Sequence, residues 1–172
     1  MSAVEILSPP LSTQRPLNMR AVLGASNDEL LARGRARAGE HGLSYAGSLY
    51  PPEAWALIEA GAVRLVDVRT AEELQFVGQV PNALHVPWQV GATMLDNPHF
   101  LDELARRVGR DAALVLLCRS GKRSAAAATA ATAAGFSQVF NVLEGFEGDL
   151  DAQQQRGERG GWRLWGLPWI QD

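Results

Sequence analysis

The 172-residue sequence is poor in thiols, in lysine and in long apolar runs. It has one cysteine, Cys118. That excludes an intramolecular disulfide framework and any zinc site built on several thiolates. A lone thiol fits a reducing compartment, and a cytoplasmic location is expected. No stretch approaches the ~18 uncharged apolar residues of a membrane helix; the longest candidate, near Ala125, is mostly Ala and Thr. The N-terminus lacks the charged start and apolar core of a secretory signal. A pI near 5.6 argues against general nucleic-acid binding. Of the 16 basic residues only Lys122 is a lysine, and it lies just beyond the single cysteine.

What is present is enough for a real core. Hydrophobic residues make up 47% of the chain, and the length suits one domain with extensions. The net charge of −3 is unevenly spread. Residues 112–143 contain no Asp or Glu but hold Arg119, Lys122 and Arg123, a window of +3 that leaves −6 on the remainder. A cationic pocket in an acidic chain suggests a small anionic ligand rather than a polyanion.

Residues 1–25, with Pro9, Pro10 and Pro16, read as an arm. Ser26 and Glu29 form a capping box for a helix over about 27–40, and Gly42 is its stop signal. Residues 26–46 are thus a helical extension. The spacing of Arg33, Arg35 and Arg37 spreads them around that helix and predicts a solvated surface. The main domain is expected over 47–150. Pro51-Pro52-Glu53 opens a short helix, and residues 63–68 read as a buried strand. Thr70 and Glu73 form a second capping box. A brief strand at His85-Val86 and a helix from Asn97-Pro98 to Arg107 follow. Ala113–Leu117 is a continuous apolar strand, 124–134 a helix of Ala and Thr, and 139–142 a last strand. This alternation predicts an α/β domain with a mainly parallel sheet. The tail, 151–172, carries three of the five tryptophans, Trp162, Trp165 and Trp169. It is expected to pack on the domain as a clasp, or to form a lid or partner-binding lip.

The chemistry concentrates after the apolar strand. In open α/β sheets ligands bind beyond the carboxyl ends of the strands, and helix N-termini present unpaired N–H groups and positive potential. A loop of Arg119, Ser120, Gly121, Lys122 and Arg123, running into Ser124, can turn its amides toward the sulfur of Cys118. The cations and Gly121, which permits a tight turn, complete a setting that favours thiolate over thiol. The residues therefore predict a reactive, anion-binding thiolate. His41, His85 and His99 have no partner at ligand spacing, and neither a metal nor a cofactor is called for.

The segment Leu114-Val-Leu-Leu-Cys118-Arg-Ser-Gly-Lys-Arg123-Ser124 resembles the active-site loop of rhodanese-type sulfurtransferases. Leu65-Val-Asp67-Val-Arg69-Thr-Ala-Glu-Glu73-Leu, continued by Gly78-Gln-Val-Pro81-Asn-Ala83, is similar to the family's Asp-Val-Arg…Glu-Glu and Gly-His-Ile-Pro-Gly-Ala signatures. The ending Gly161–Trp169 resembles tails of some bacterial single-domain members. Gln79 and Asn82 stand where the family usually has His and Gly, and Leu143–Gly148 follows its Gly-Gly pattern in part; packing changes are expected there. The resemblance implies a rhodanese-like α/β domain, a five-stranded, mainly parallel sheet with helices on both faces. It also implies sulfur transfer from thiosulfate or a related donor through a Cys118 persulfide to cyanide or a thiol, which could be a protein thiol. Neither nucleic acid nor membrane is an expected partner. Arg119 and Lys122 would attract the donor, Arg123 would brace the loop, and Asp67, Arg69 and Glu73 would support it, with Arg69 pairing Glu73 or Glu72. With no second cysteine in the chain, an external acceptor is expected.

Two rival readings differ in their loops or their chemistry. A phosphatase or arsenate reductase of the same fold uses His-Cys-x5-Arg, whereas here Leu117 precedes the cysteine and four residues separate it from Arg123. A sulfur carrier or binding module without significant turnover is the other.

Overall fold

The computed structural model of the protein describes residues 22–172. The expected arm lies largely outside the described residues; of its last four, Val22 packs into the core. The helix after it, α1 (Asn27–His41), opens with the anticipated capping box: Glu29 N–H donates to Ser26 Oγ at 3.2 Å and Ser26 N–H to Glu29 Oε2 at 2.9 Å. Gly42 ends it in the left-handed region.

The remaining elements are β1 (Gly47–Leu49), α2 (Pro51–Glu59), β2 (Arg64–Asp67), α3 (Ala71–Val77), β3 (Leu84–His85), β4 (Gln89–Val90), β5 (Leu95–Asp96), α4 (Phe100–Arg107), β6 (Ala113–Leu117), α5 (Lys122–Ala133) and β7 (Gln138–Val142). Five strands form one sheet in the order β1-β7-β6-β2-β3, and every neighbouring pair is parallel. The antiparallel hairpin β4–β5 stands apart. Its two-residue strands are too short to show a periodic pattern, so sequence reading passed over them.

Strand alternation builds two cores. Leu65, Val115, Leu117, Phe140 and Val142 face α1 and α2, meeting Leu30, Ala54 and Leu57. Val66, Leu114, Leu116 and Val139 face α4 and α5, meeting Phe100, Leu104, Ala127, Ala128 and Ala131. Leu114–Leu117 are all fully buried because both faces of β6 are covered. The small Ala side chains let α5 lie close over the sheet.

The solvated reading of the α1 arginines holds for part of the group only. Arg37 forms a two-pronged ion pair with the fully buried Glu53, at 2.7 and 3.1 Å, and donates to Ser48 O at 2.9 Å. Arg35 lies over the Phe140 ring, 5.7 Å from its centroid. Glu53 also receives the Tyr50 N–H at 2.8 Å, so a helix-opening carboxylate is buried with its charge and hydrogen bonds met. That pairing joins helices separated in sequence, and helical periodicity has no access to it.

The tail closes the first core. Trp162 is fully buried, edge-on to Trp55 with ring centroids 5.9 Å apart. Its Nε1–H donates to Pro168 O. Gln79 and Ile170 exchange both backbone hydrogen bonds at 2.8 Å, so the residue standing in the usual His position joins the tail to the domain. Asn82, in place of the usual Gly, has φ 62°. Asn is among the few side chains that tolerate this region, so the turn survives the exchange.

Candidate active site

β2 and β6 are neighbours, and the chain leaves them in opposite directions across the sheet: β2 leads outward to β3, β6 outward to β7 and β1. Such a switch point opens a crevice at the carboxyl ends of the strands. Cys118 follows β6 there, and Asp67, paired with Leu117, ends β2 beside it.

The Cys118 residue is only 1% exposed. Its Sγ accepts the Gly121 N–H at 3.1 Å and lies 3.2 Å from Ser124 Oγ. Gly121 has φ 98°, the left-handed turn that brings its amide back onto the sulfur. Helix α5 begins at Lys122, two residues earlier than expected, because Lys and Arg extend a helix readily and Gly121 supplies the turn before it. Lys122, Arg123 and Ser124 therefore form the first helical turn, and Arg119–Gly121 is the loop proper. The Gly121 amide and the helix N-terminus direct positive potential at Sγ, whereas the one proton of the Ser124 hydroxyl goes to Asn141 Oδ1 in the shorter contact.

Asn141 holds this arrangement from below. Its Oδ1 accepts from Ser124 Oγ at 2.5 Å and its Nδ2 donates to Gly121 O at 3.1 Å. Sequence reading did not single out Asn141. The available signal was one amide within the otherwise apolar run Val139–Val142. The segment after β7 clamps the loop from another side: Phe146 N–H donates to Cys118 O at 2.8 Å and Glu147 N–H to Arg119 O at 2.9 Å. The approach requires glycine at 145, where a Cβ would lie 2.5–2.6 Å from Arg119 and Cys118 backbone atoms.

The expected supporting residues are all close by, with different pairings. Arg69 pairs with Asp67, not with Glu73 or Glu72. Its Nε and Nη2 donate to the carboxylate at 3.0 and 2.7 Å, and Nη2 also donates to Gly78 O. Both residues are buried, and the guanidinium lies 4.2 Å from the Phe146 ring centroid, behind the clamp. Glu73 pairs with Arg123 instead, through two bonds of 2.7 and 2.9 Å between residues 50 positions apart. Burial alone would raise the Glu73 carboxyl, but the hydrogen bonds from Arg123 and the Thr70 N–H outweigh it and hold it below its ordinary range. Burial likewise opposes charge on Arg123, and Glu73 reverses that, raising it. Arg123 is thereby a neutralised brace between α5 and α3.

Above the loop lies an open cleft of about 560 Å³. Its floor is Arg119, Ser120, Lys122 and Arg123. One wall brings Gln89 and Met94 from the β4–β5 hairpin. The other brings Asp149 and Leu150 from the end of the domain and Arg156 and Arg159 from the start of the tail. The tail is thus both clasp and wall: Trp162 fastens it, and the residues before Trp162 border the cleft. Arg156 and Arg159 were not named as site residues from sequence. Among the described residues, no cluster of three His, Cys, Asp or Glu side chains is placed to hold a metal, and no helix is long and apolar enough to cross a membrane.

A buried thiol at the carboxyl end of a central parallel strand, met by the Gly121 amide beneath a cationic cleft, has the arrangement of a nucleophilic or anion-binding α/β site. A family profile described as Rhodanese-like domain matches residues 50–152, and the chain belongs to that family. A crystal structure of Rv0390 from M. tuberculosis shares 43% identity and covers 74% of this chain and 99% of its own, with a TM-score of 0.67. A thiosulfate sulfurtransferase, GlpE, from Pseudomonas savastanoi is 38% identical over 97 residues, 56% of this chain and 80% of that protein. An uncharacterized protein of Rickettsia rickettsii is 37% identical over 111 residues, 61% of this chain and 80% of its own. The fold is that of the family, and sulfur transfer is the class of chemistry that the family supports.

Proposed function

We propose that the protein is a sulfurtransferase that carries sulfane sulfur on Cys118, with thiosulfate among its donors. The observation that carries this reading is the setting of Cys118 Sγ, with the Gly121 N–H directed at it at 3.1 Å beside the N-terminal end of α5. The Cys118 thiolate attacks the outer sulfur of the donor. A sulfur–sulfur bond forms to Sγ as the donor's own bond breaks, and sulfite leaves with the electron pair. A thiol or cyanide then takes the outer sulfur in a second half-reaction, so ping-pong kinetics follow. Arg119 and Lys122 attract the anionic donor, the loop donors hold the persulfide's charge, and Arg123 braces the first turn of α5 through Glu73. Asp67 and Arg69 act through the clamp rather than on the donor. This reading includes a cytoplasmic setting.

The pairing of Arg123 supports sulfur over phosphate chemistry. A phosphate-cradling arginine offers its fork to the oxyanion, whereas the fork of Arg123 is occupied by Glu73. Mass spectrometry after thiosulfate treatment tests the reading: one added sulfur on Cys118 is expected. Reduced, folded protein that stays unmodified, or hydrolysis of an aryl phosphate that Cys118→Ser abolishes, would overturn it.

A further inference from the structure

Four groups beneath the cleft form a closed hydrogen-bonded circuit. The side chains of Cys118, Ser124 and Asn141 are all buried. The Asn141 amide has one orientation that satisfies its neighbours. Its Nδ2 faces the Gly121 carbonyl at 3.1 Å, a partner that only an N–H can meet, so Oδ1 faces Ser124 Oγ at 2.5 Å. Oδ1 carries no proton, so the single hydroxyl proton of Ser124 lies between the two oxygens. What Ser124 then offers Cys118 Sγ, 3.2 Å away, is a lone pair. A lone pair accepts from a thiol and repels a thiolate. With the S–H of Cys118 donating to Ser124 Oγ, each member donates to the next. Cys118 gives to Ser124, Ser124 to Asn141, Asn141 to Gly121, and the Gly121 N–H returns to Sγ at 3.1 Å.

We infer that Asn141 is a positioning residue that holds the Ser124 proton off Cys118, so that the sulfur rests as a thiol and the hydroxyl turns to it only when the sulfur becomes anionic. This rests on the sulfurtransferase reading above and adds a gate to it. Ionisation sends the S–H proton to solvent and leaves Ser124 Oγ without its donor. The hydroxyl then rotates from Asn141 Oδ1 to Sγ, and Oδ1 is left buried without that bond, a cost set against thiolate formation. The Gly121 amide and the N-terminus of α5 act in the opposite direction. Their balance with Asn141 sets how much thiolate meets the donor. The charged groups around the thiol are Arg119 and Lys122, Arg123 matched by Glu73, and Asp67 matched by Arg69. Beyond β7 stands Glu144, which accepts from Trp165 Nε1. All of them are the same in each variant below, so a comparison among variants isolates the hydroxyl proton.

The chain has one thiol, so its S–H stretch is a single Raman band. In the wild type at about pH 6, where a thiol form is required, the band should lie at lower frequency than that of an unbonded thiol in apolar solvent. It should rise in Ser124→Ala. Alkylation of Cys118 by iodoacetamide at the same pH reports the thiolate fraction. Asn141→Ala should speed it about fivefold or more, because the Ser124 proton is then free to turn to Sγ. In the Ser124→Ala background the same substitution should change the rate by less than about twofold. Circular dichroism checks the fold of the variants, and the wild-type band stands by itself should they misfold. No S–H band at that pH, a band at the unbonded frequency, or an Asn141→Ala effect of equal size with and without Ser124 would overturn the gate. Sulfur loading of Cys118 from thiosulfate would then still leave the sulfurtransferase reading in place. Absence of that sulfur, with both proton signatures present, would overturn the sulfurtransferase reading and leave the proton order standing.

Discussion

The two sides of the cleft are built by different physics. The Cys118 loop takes its shape from neighbours in sequence, a buried strand, a glycine turn and a helix start, with the Gly121 N–H three residues ahead on Sγ, and Asn141 and the segment 145–147 then hold it in place. The opposite wall, Asp149 to Arg159, has no helix or strand of its own. It is held by backbone bonds such as Gly157 N–H to Glu147 O and by the anchorage of Trp162 farther along. A locally encoded thiol loop thus faces a wall placed by long-range packing. In the proposed function the first governs whether chemistry occurs, and the second governs what reaches it.

Substitutions separate these roles. The largest effect is expected at the loop. Cys118→Ser should reduce thiosulfate:cyanide sulfur transfer by roughly 10³-fold or more, because the covalent intermediate is lost. Stability should stay near wild type, and a substantial residual rate would relocate the nucleophile. Trp162→Ala attacks the wall through its fastening. Removing a fully buried indole should cost about 3–5 kcal/mol, read as a lower denaturant midpoint. A cost near zero would show that the tail is not part of the cooperative unit.

Glu73→Gln tests the brace between α5 and α3. Glu73 has a lowered folded-state value, so its contribution is present above the ordinary value of 4.5 and is lost as pH falls through the folded one. The substitution should destabilise the protein by about 2 kcal/mol at neutral pH. It should also flatten the acid limb of the stability curve below about pH 4.5. An acid limb identical to wild type would remove Glu73 as its source. The smallest change belongs to exposed Lys122. Lys122→Ala should raise the apparent KM for thiosulfate by about fivefold with no shift in Tm, an effect that high salt diminishes. An unchanged KM would leave donor attraction to Arg119 and the tail arginines.

Much of this was legible in the residues. The apolar run Ala113–Leu117 announces a strand covered on both faces, and the Ser26/Glu29 and Thr70/Glu73 spacings announce helix starts that form as expected. The polar segment after Cys118 points to the candidate site. The errors share one cause. Arg69 was paired with a carboxylate on the following turn, yet the buried Asp67 is nearer, and Glu73 reaches across 50 residues to Arg123. Arg37 reads from sequence as solvated and Asn141 carries no signal of its role, because their partners Glu53, Ser124 and Gly121 come from other elements.

By itself the sequence determined the class of fold and the placement of the single thiol within a cationic loop. Hydrophobic period, capping and turn chemistry act over a few residues and leave a readable pattern. Only the tertiary structure decided which charges cancel and which remain open, and which residues border the cleft. Ion pairing and burial depend on distances between groups remote in the chain. For that reason Arg123 became a neutralised brace, and the tail placed Arg156 and Arg159 across from the loop.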